Sequence, residues 1–430
     1  MNALSPLSQS FIDQHGDAEF TARAPWLDQL RQSGLENFSS QGLPTPSVEE
    51  WKYTNLKVLE KLDVSTSSEA AAVDPAELIW LPADMASHKL VFVNGRYSQE
   101  LSEIGELPDG VKVLSLAEAM ISESELLADN LGKIGSIENA PVLALNTAFI
   151  NDGYVVIVEK AELEKPIEVV FVNKADASSS NHSRNLVVAK DNARATILER
   201  HIGEGDYLAN HGFEVLVEGG SHVKHYRLFE DGAAGINLST AKASVGKDAT
   251  YDSFVLSIGG RLNRNEIHVA CKEPGAHTNL NGVYVGRDSQ HIDNTTQIDH
   301  LVPNTTSKET YKGALDGKSR GVFQGAINVA VGADGTDGQM SNKTLLLSDE
   351  SEIDSKPQLE IFADDVKCAH GFTAGELEET SLFYLRSRGI PEAAARAMLV
   401  EGFLAEVVEA GVDEEYQEIF KAKISVWMEN

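Results

Sequence analysis

Two side chains with metal-binding chemistry stand two positions apart in Val366-Lys367-Cys368-Ala369-His370-Gly371. On a strand, residues i and i+2 share a face, so Cys368 and His370 are expected to point the same way. A thiolate and an imidazole are soft-to-borderline ligands that suit iron or zinc. Two ligands do not close a metal site, so the rest would come from another chain or from sulfide. The same residues also describe a buried cysteine beside a hydrogen-bonded histidine. From residue types alone this plainer reading is preferred, because free cysteine is usually simply buried.

Other chemistry-bearing patterns are weaker. Gly313-Ala314-Leu315-Asp316-Gly317-Lys318-Ser319 imitates a phosphate-binding loop, but three residues separate its glycines where the motif needs four. No helical pattern follows it, so it reads as a turn between strands. Gly203-Glu204-Gly205 lacks a third glycine and carries acid where a phosphate would sit. Asp364-Asp365 reads as a solvated turn, since neighbours on a strand point to opposite faces. No HExxH or CxxC pattern occurs. His222 and His225 do not share a strand face, and His268, His277, His291 and His300 are scattered. Surface or packing roles are expected for all six.

The elements that must position the Cys–His pair are mostly strands. Pro25 opens a short helix, Pro44-Thr45-Pro46 breaks the chain, and Ser- and Ala-rich residues 65–72 read as a loop. From about residue 86 short β-rich runs follow one another with few helical interruptions. Leu90–Val93 ends at the turn signal Asn94-Gly95, and Tyr154–Val158, Ile167–Val172, Leu186–Ala189 and Phe213–Val217 are further strands. A weak repeat begins at Ala193, Ser221, Asp248 and Gly275, each after a polar or glycine-containing turn. A second echo joins Gly282–Val285, Gly313–Leu315 and Gly325–Val329. Repeats of this length predict a β-solenoid, whose two ends must be capped. Near the C-terminus, Glu378–Arg388 predicts a helix broken at Gly389. Pro391 to Gly411 predicts a second, with Pro391 in its first turn and Gly411 as its cap. Its stripes Leu399-Phe403-Val407 and Val400-Leu404-Val408 make a wide apolar face, suited to capping the solenoid or docking a partner.

Composition narrows the function classes. A net charge of -30 repels phosphate backbones and acidic lipid, so neither nucleic acid nor membrane is an expected partner. Two cysteines, Cys271 and Cys368, cannot build a disulfide framework and fit a reducing compartment. Met1–Pro6 lacks a basic and apolar leader pattern, and no stretch has the roughly 18 apolar residues of a membrane helix. A cytoplasmic chain is the expectation.

The block from Ser341 to Val407, SNKTLLLSDESEIDSKPQLEIFADDVKCAHGFTAGELEETSLFYLRSRGIPEAAARAMLVEGFLAEV, resembles the C-terminal signature of the SufB/SufD family, and Glu49–Leu56 (EEWKYTNL) resembles its N-terminal signature. Two departures separate the paralogues. Ser348–Asp354 lacks the cysteine of SufB-like chains, and Cys368-Ala369-His370-Gly371 stands where those chains carry a Glu-His-Glu type sequence. Both point to the SufD side. The resemblance implies a mainly β chain, with a right-handed parallel β-helix core at 136–375. A mixed helical/β region at 1–135 and a helical region at 376–430 would flank it. It implies a non-catalytic scaffold that pairs with SufB and binds the SufC ATPase through Phe383, Tyr384, Arg386, Arg388, Met398, Leu399 and Phe403. It also implies that His370 serves the SufB interface, where iron or a nascent iron–sulfur cluster passes transiently, with nothing held stably by this chain alone. Cys368 stays open between ligand and structural residue. A homodimer in isolation is a further expectation. Competing readings are a β-helix carbohydrate-active enzyme and the SufB paralogue itself.

Overall fold

The computed structural model describes residues 4–62, 65, 71–174 and 179–429. The expected loop at 65–72 lies mostly outside them. The strands are β1 (His88–Val93), β2 (Arg96–Tyr97), β3 (Val111–Ser115), β4 (Tyr154–Glu159), β5 (Ile167–Lys174), β6 (Ser179–Lys190), β7 (Arg194–Glu204), β8 (Tyr207–Val217), β9 (His222–Asp231) and β10 (Ile236–Val245). They continue as β11 (Thr250–Ser257), β12 (Leu262–Cys271), β13 (His277–Gly286), β14 (His291–His300), β15 (Thr306–Leu315), β16 (Arg320–Val329), β17 (Thr336–Leu346), β18 (Glu352–Ile361) and β19 (Val366–Gly375). From β4 onward even strands pair with even and odd with odd, all in parallel. This is a β-solenoid of about seven turns, as the repeat predicted.

The turns explain the repeat. Asn192, Gly220, Asp248, Gly275 and Asn304 all take left-handed backbone, which Gly, Asn and Asp tolerate best. They recur at one corner of successive coils, just before an odd strand. A Cβ on Gly275 would stand 2.1 Å from Asp248 Oδ1, so the stacked corners admit only glycine there. The second echo has a different register from its sequence spacing. Gly282 pairs with Tyr311, and Tyr284 with Gly313. Each tyrosine ring fills the space left by the glycine on the adjacent coil, where a Cβ would approach within 2.2 and 2.1 Å. Gly313→Ala is therefore expected to destabilise by about 1–3 kcal/mol through overpacking. Urea unfolding checks this against Gly402→Ala, where nothing lies within 4 Å.

Helices sandwich the solenoid. They are α1 (Pro6–Asp17), α2 (Pro25–Gln41), α3 (Leu116–Ser122), α4 (Ser124–Asn130), α5 (Pro141–Ala148), α6 (Glu379–Ser387), α7 (Glu392–Gly411) and α8 (Glu414–Glu429). Phe11, Phe38 and Leu145 pack on Leu208, Ile236 and Leu238 outside the even sheet. Val400, Leu404, Val407 and Phe420 pack on Tyr226, Phe254 and Val283 outside the odd sheet. Both faces of both sheets are thus covered over the middle coils. That is why β6, β8 and β10 read as nearly continuous buried runs rather than alternating ones.

Three expectations change. Three helices, α3, α4 and α5, fall between residues 116 and 148, where strands were expected to dominate. Every residue of α5 is buried, so its apolar run carries no amphipathic period that separates helix from strand. Gly411 stays inside α7 rather than capping it, and the chain leaves through Val412 in extended backbone. Gly411 instead allows close approach, since a Cβ would meet Asn281 Cβ at 2.7 Å. Finally, α7 and α8 do not close the solenoid's end. They lie along its flank, held by ion pairs from Lys312 to Glu406 and from Lys224 to Asp413 (2.7 Å). Among the described residues no strand pairs beyond β18 or β19.

Candidate functional site

The Cys–His pair lies on that unclosed end. β19 is the last strand of the odd sheet, in register with β17, so that Cys368 faces Gly338 and His370 faces Met340. Val366, Cys368 and Phe372 follow the inward parity and pack against the solenoid core. His370 has the same parity but is exposed, with only the edge of its ring against Phe372 at 5.9 Å. Cys368 is half-buried. Burial raises its thiol pKa, opposed by the Gly338 N–H that bonds its sulfur. Cys271, by contrast, is fully buried inside the core, and its thiol is pushed up to about 12. It is inert packing. Among the described residues no group of three or more His, Cys, Asp or Glu is placed to hold a metal. The pair is half of a ligand set at most.

The surroundings of the pair are those of an unfinished surface. β18 and β19 present free backbone edges. At the end of β18, Phe362 is 64% exposed and Ile361 is also out in solvent. Exposed apolar side chains beside an unpaired edge form a template for another strand or chain.

The residues expected on the docking helices divide into two sets. Phe383, Tyr384, Arg386, Arg388 and Met398 are exposed. Phe383 reaches 73%, and no residue of α6 is buried. Arg388 lies 5.3 Å from the Tyr384 ring centroid, and Arg386 pairs with Glu392 at 3.2 Å. Leu399 and Phe403 are half-buried instead. Phe403 packs under the Lys312 ammonium, 4.4 Å from its ring centroid. The apolar stripes of α7 are largely spent on its own solenoid, which leaves α6 and Met398 as the free apolar surface.

Sequence reasoning missed two constellations. Inside the solenoid, Glu199 accepts from Tyr154 (2.5 Å) and lies 2.9 Å from His225 Nε2 and 3.3 Å from His201 Nε2, all without solvent contact. Burial works to raise its pKa, but the flanking His225 and His201 outweigh this and hold it low. On the outer face of the even sheet, Lys242, His268 and Glu266 form a hydrogen-bonded chain. No fixed period reveals these groupings, because coil length varies. The step from Lys242 to His268 is shorter than that from Ala326 to Gln358, although both are one coil.

The comparisons agree with this architecture. Residues 171–403 match the family described as "SUF system FeS cluster assembly, SufBD core domain", and residues 7–169 match the "SufBD protein N-terminal region". The chain belongs to the SufBD family. SufBD relatives with similar full-length sequences include the iron–sulfur cluster assembly protein SufD of Escherichia coli, 30% identical over 95% of this chain and 94% of that one. An iron–sulfur cluster assembly SufBD family protein of Synechocystis is 30% identical over 89% and 87%. SufD of Bacillus subtilis is 25% identical over 93% and 92%. Two of these carry the SufD description, the side of the SufBD family to which residues 348–354 pointed. Among the described residues no helix is long and apolar enough to cross a membrane.

Proposed function

We propose that this chain is a non-catalytic, cytoplasmic scaffold subunit for iron–sulfur cluster assembly. It pairs with SufB through the open end of its solenoid and carries the SufC ATPase on α6 and the exposed part of α7. His370 is a ligand or proton-handling group for iron or a nascent cluster at that junction, and Cys368 its half-buried neighbour. The observation that carries this reading is an exposed imidazole on the unpaired last strand, beside uncovered apolar side chains. One nitrogen of a neutral imidazole can take iron while the other is oriented by an acceptor supplied from the partner. Iron or cluster is cargo in this reading, and nothing is held stably by the chain alone. The exposed Phe383, Tyr384 and Met398 supply the aromatic and methionine anchors typical of a binding surface.

The test is iron and acid-labile sulfide content of the complex co-expressed with SufB and SufC, wild type against His370→Ala. Size-exclusion chromatography confirms assembly. A several-fold loss of cluster in an intact complex is expected. Unchanged content would make the chain a purely architectural partner.

A further inference from the structure

A groove of about 580 Å³ runs along the outer face of the even sheet, from β10 across to β18. Its floor is a set of in-register columns, Thr240–Glu266–Thr295–Gln324 and Lys242–His268–Gln297. One wall is the Glu49–Trp51 turn, part of the EEWKYTNL segment. There Trp51 stacks on Arg264, 4.0 Å from ring centroid to guanidinium, and the Glu50 carbonyl accepts from Arg264 and Gln324, both at 3.0 Å. The opposite wall is the stretch from Ile134 to Leu143. Gly135 lies directly on the Lys242 stem, and a Cβ there would stand 2.5 Å from Lys242 Cγ. The stem is thereby covered while the residue still lines the groove.

Lys242 Nζ donates to His268 Nδ1 at 2.8 Å, and His268 Nε2 bonds Glu266 Oε1 at 2.8 Å. Glu266 therefore fixes the imidazole proton on Nε2 and turns the Nδ1 lone pair toward the amine. Burial lowers the ammonium pKa of Lys242, with Glu266 and Asp299 opposing it. A buried amine with a positioned base is the usual form of a nucleophilic lysine.

We propose that Lys242 captures a small uncharged aldehyde or ketone in this groove as an imine. The amine lone pair attacks the carbonyl carbon, and the π pair moves to oxygen. The nitrogen passes one proton through His268 Nδ1 to that oxygen, which gives the carbinolamine. Its second proton follows the same route to the hydroxyl, which leaves as water while the nitrogen lone pair forms the C=N bond. One amine and one carbonyl give one imine and one water. Six carboxylates line the groove against two lysines, which disfavours anionic ligands such as keto acids.

The test incubates the full chain with hydroxyacetone, reduces with borohydride and weighs the peptides. Lys242 is expected to carry the adduct about tenfold above the other lysines. His268→Asn is expected to lower that labelling about tenfold with circular dichroism unchanged. Even labelling across lysines, or an unlabelled Lys242, overturns the proposal. Should the variant unfold, the pH profile of wild-type labelling decides. A midpoint clearly below the ordinary lysine value of 10.5 supports the nucleophile, and one at or above it overturns it.

Discussion

At pH 8 the Glu309→Gln protein unfolds at a higher urea concentration than the parent, and at pH 4 the two unfold together. Glu309 points into the solenoid from β15 and is fully buried. Burial pushes its carboxyl from 4.5 up to about 8, and only the Thr296 hydroxyl opposes this. Between those values the unfolded chain has released a proton that the folded chain keeps. Folding stability from this group is thus whole below pH 4.5 and falls as pH rises toward 8. At about 1.4 kcal/mol per pH unit the loss approaches roughly 5 kcal/mol. Glutamine has the same shape and no proton to lose, so the variant escapes that cost. Urea midpoints from pH 4 to 8 measure the difference. A gap that does not widen with pH would mean that Glu309 is ionised inside the fold.

Glu214→Ala is expected to destabilise the chain by about 3–5 kcal/mol, the usual cost of stranding one member of a buried pair. Arg184 Nε lies 3.0 Å from Glu214 Oε1, and both side chains are almost wholly buried. The same carboxylate accepts from the backbone of Gly132 (2.8 Å) and Ile134 (3.2 Å), which anchors the chain after α4. Arg184 also donates to Asn146 (3.1 Å) and Thr147 (2.9 Å) on α5. The pair therefore joins the helical insertion to the solenoid. Replacing both partners by apolar residues, Arg184→Met with Glu214→Leu, should recover part of the loss. Hydrogen exchange should show α5 opening in the single variant before the solenoid does. Equal protection of α5 in both proteins would refute the anchoring role.

The solenoid was legible in the sequence because its corners obey local chemistry. Asn192, Gly220, Asp248 and Gly275 are residue types that tolerate left-handed backbone, and they recur once per coil. α6 and α7 were legible from period and punctuation at Gly389 and Pro391. α5 was not, because a segment buried on every side has no period to read. Cys368 and His370 were placed on one face by counting alone. Their difference in exposure was not legible, since counting along a strand gives the face and not what covers each side chain. The partition of α7 was also hidden, because an apolar stripe does not say whether its own chain or another will cover it. The Lys242–His268–Glu266 chain required the register of coils of unequal length.

The two ends of the solenoid differ in kind. At the N-terminal end the parallel stacking stops at antiparallel strands, the two-residue β2 on β1 and β3 on β4. At the other end, among the described residues, β18 and β19 stop with no strand beyond them. For continued parallel stacking, a body built this way has a valence of one. It can accept a single neighbour at its bare end and offers that neighbour no second place to repeat the joint. Two such bodies joined tail to tail leave no bare C-terminal solenoid end, while α6 stays exposed. The shape of the chain itself therefore limits end-to-end stacking to a pair, without a separate device to stop a filament from growing.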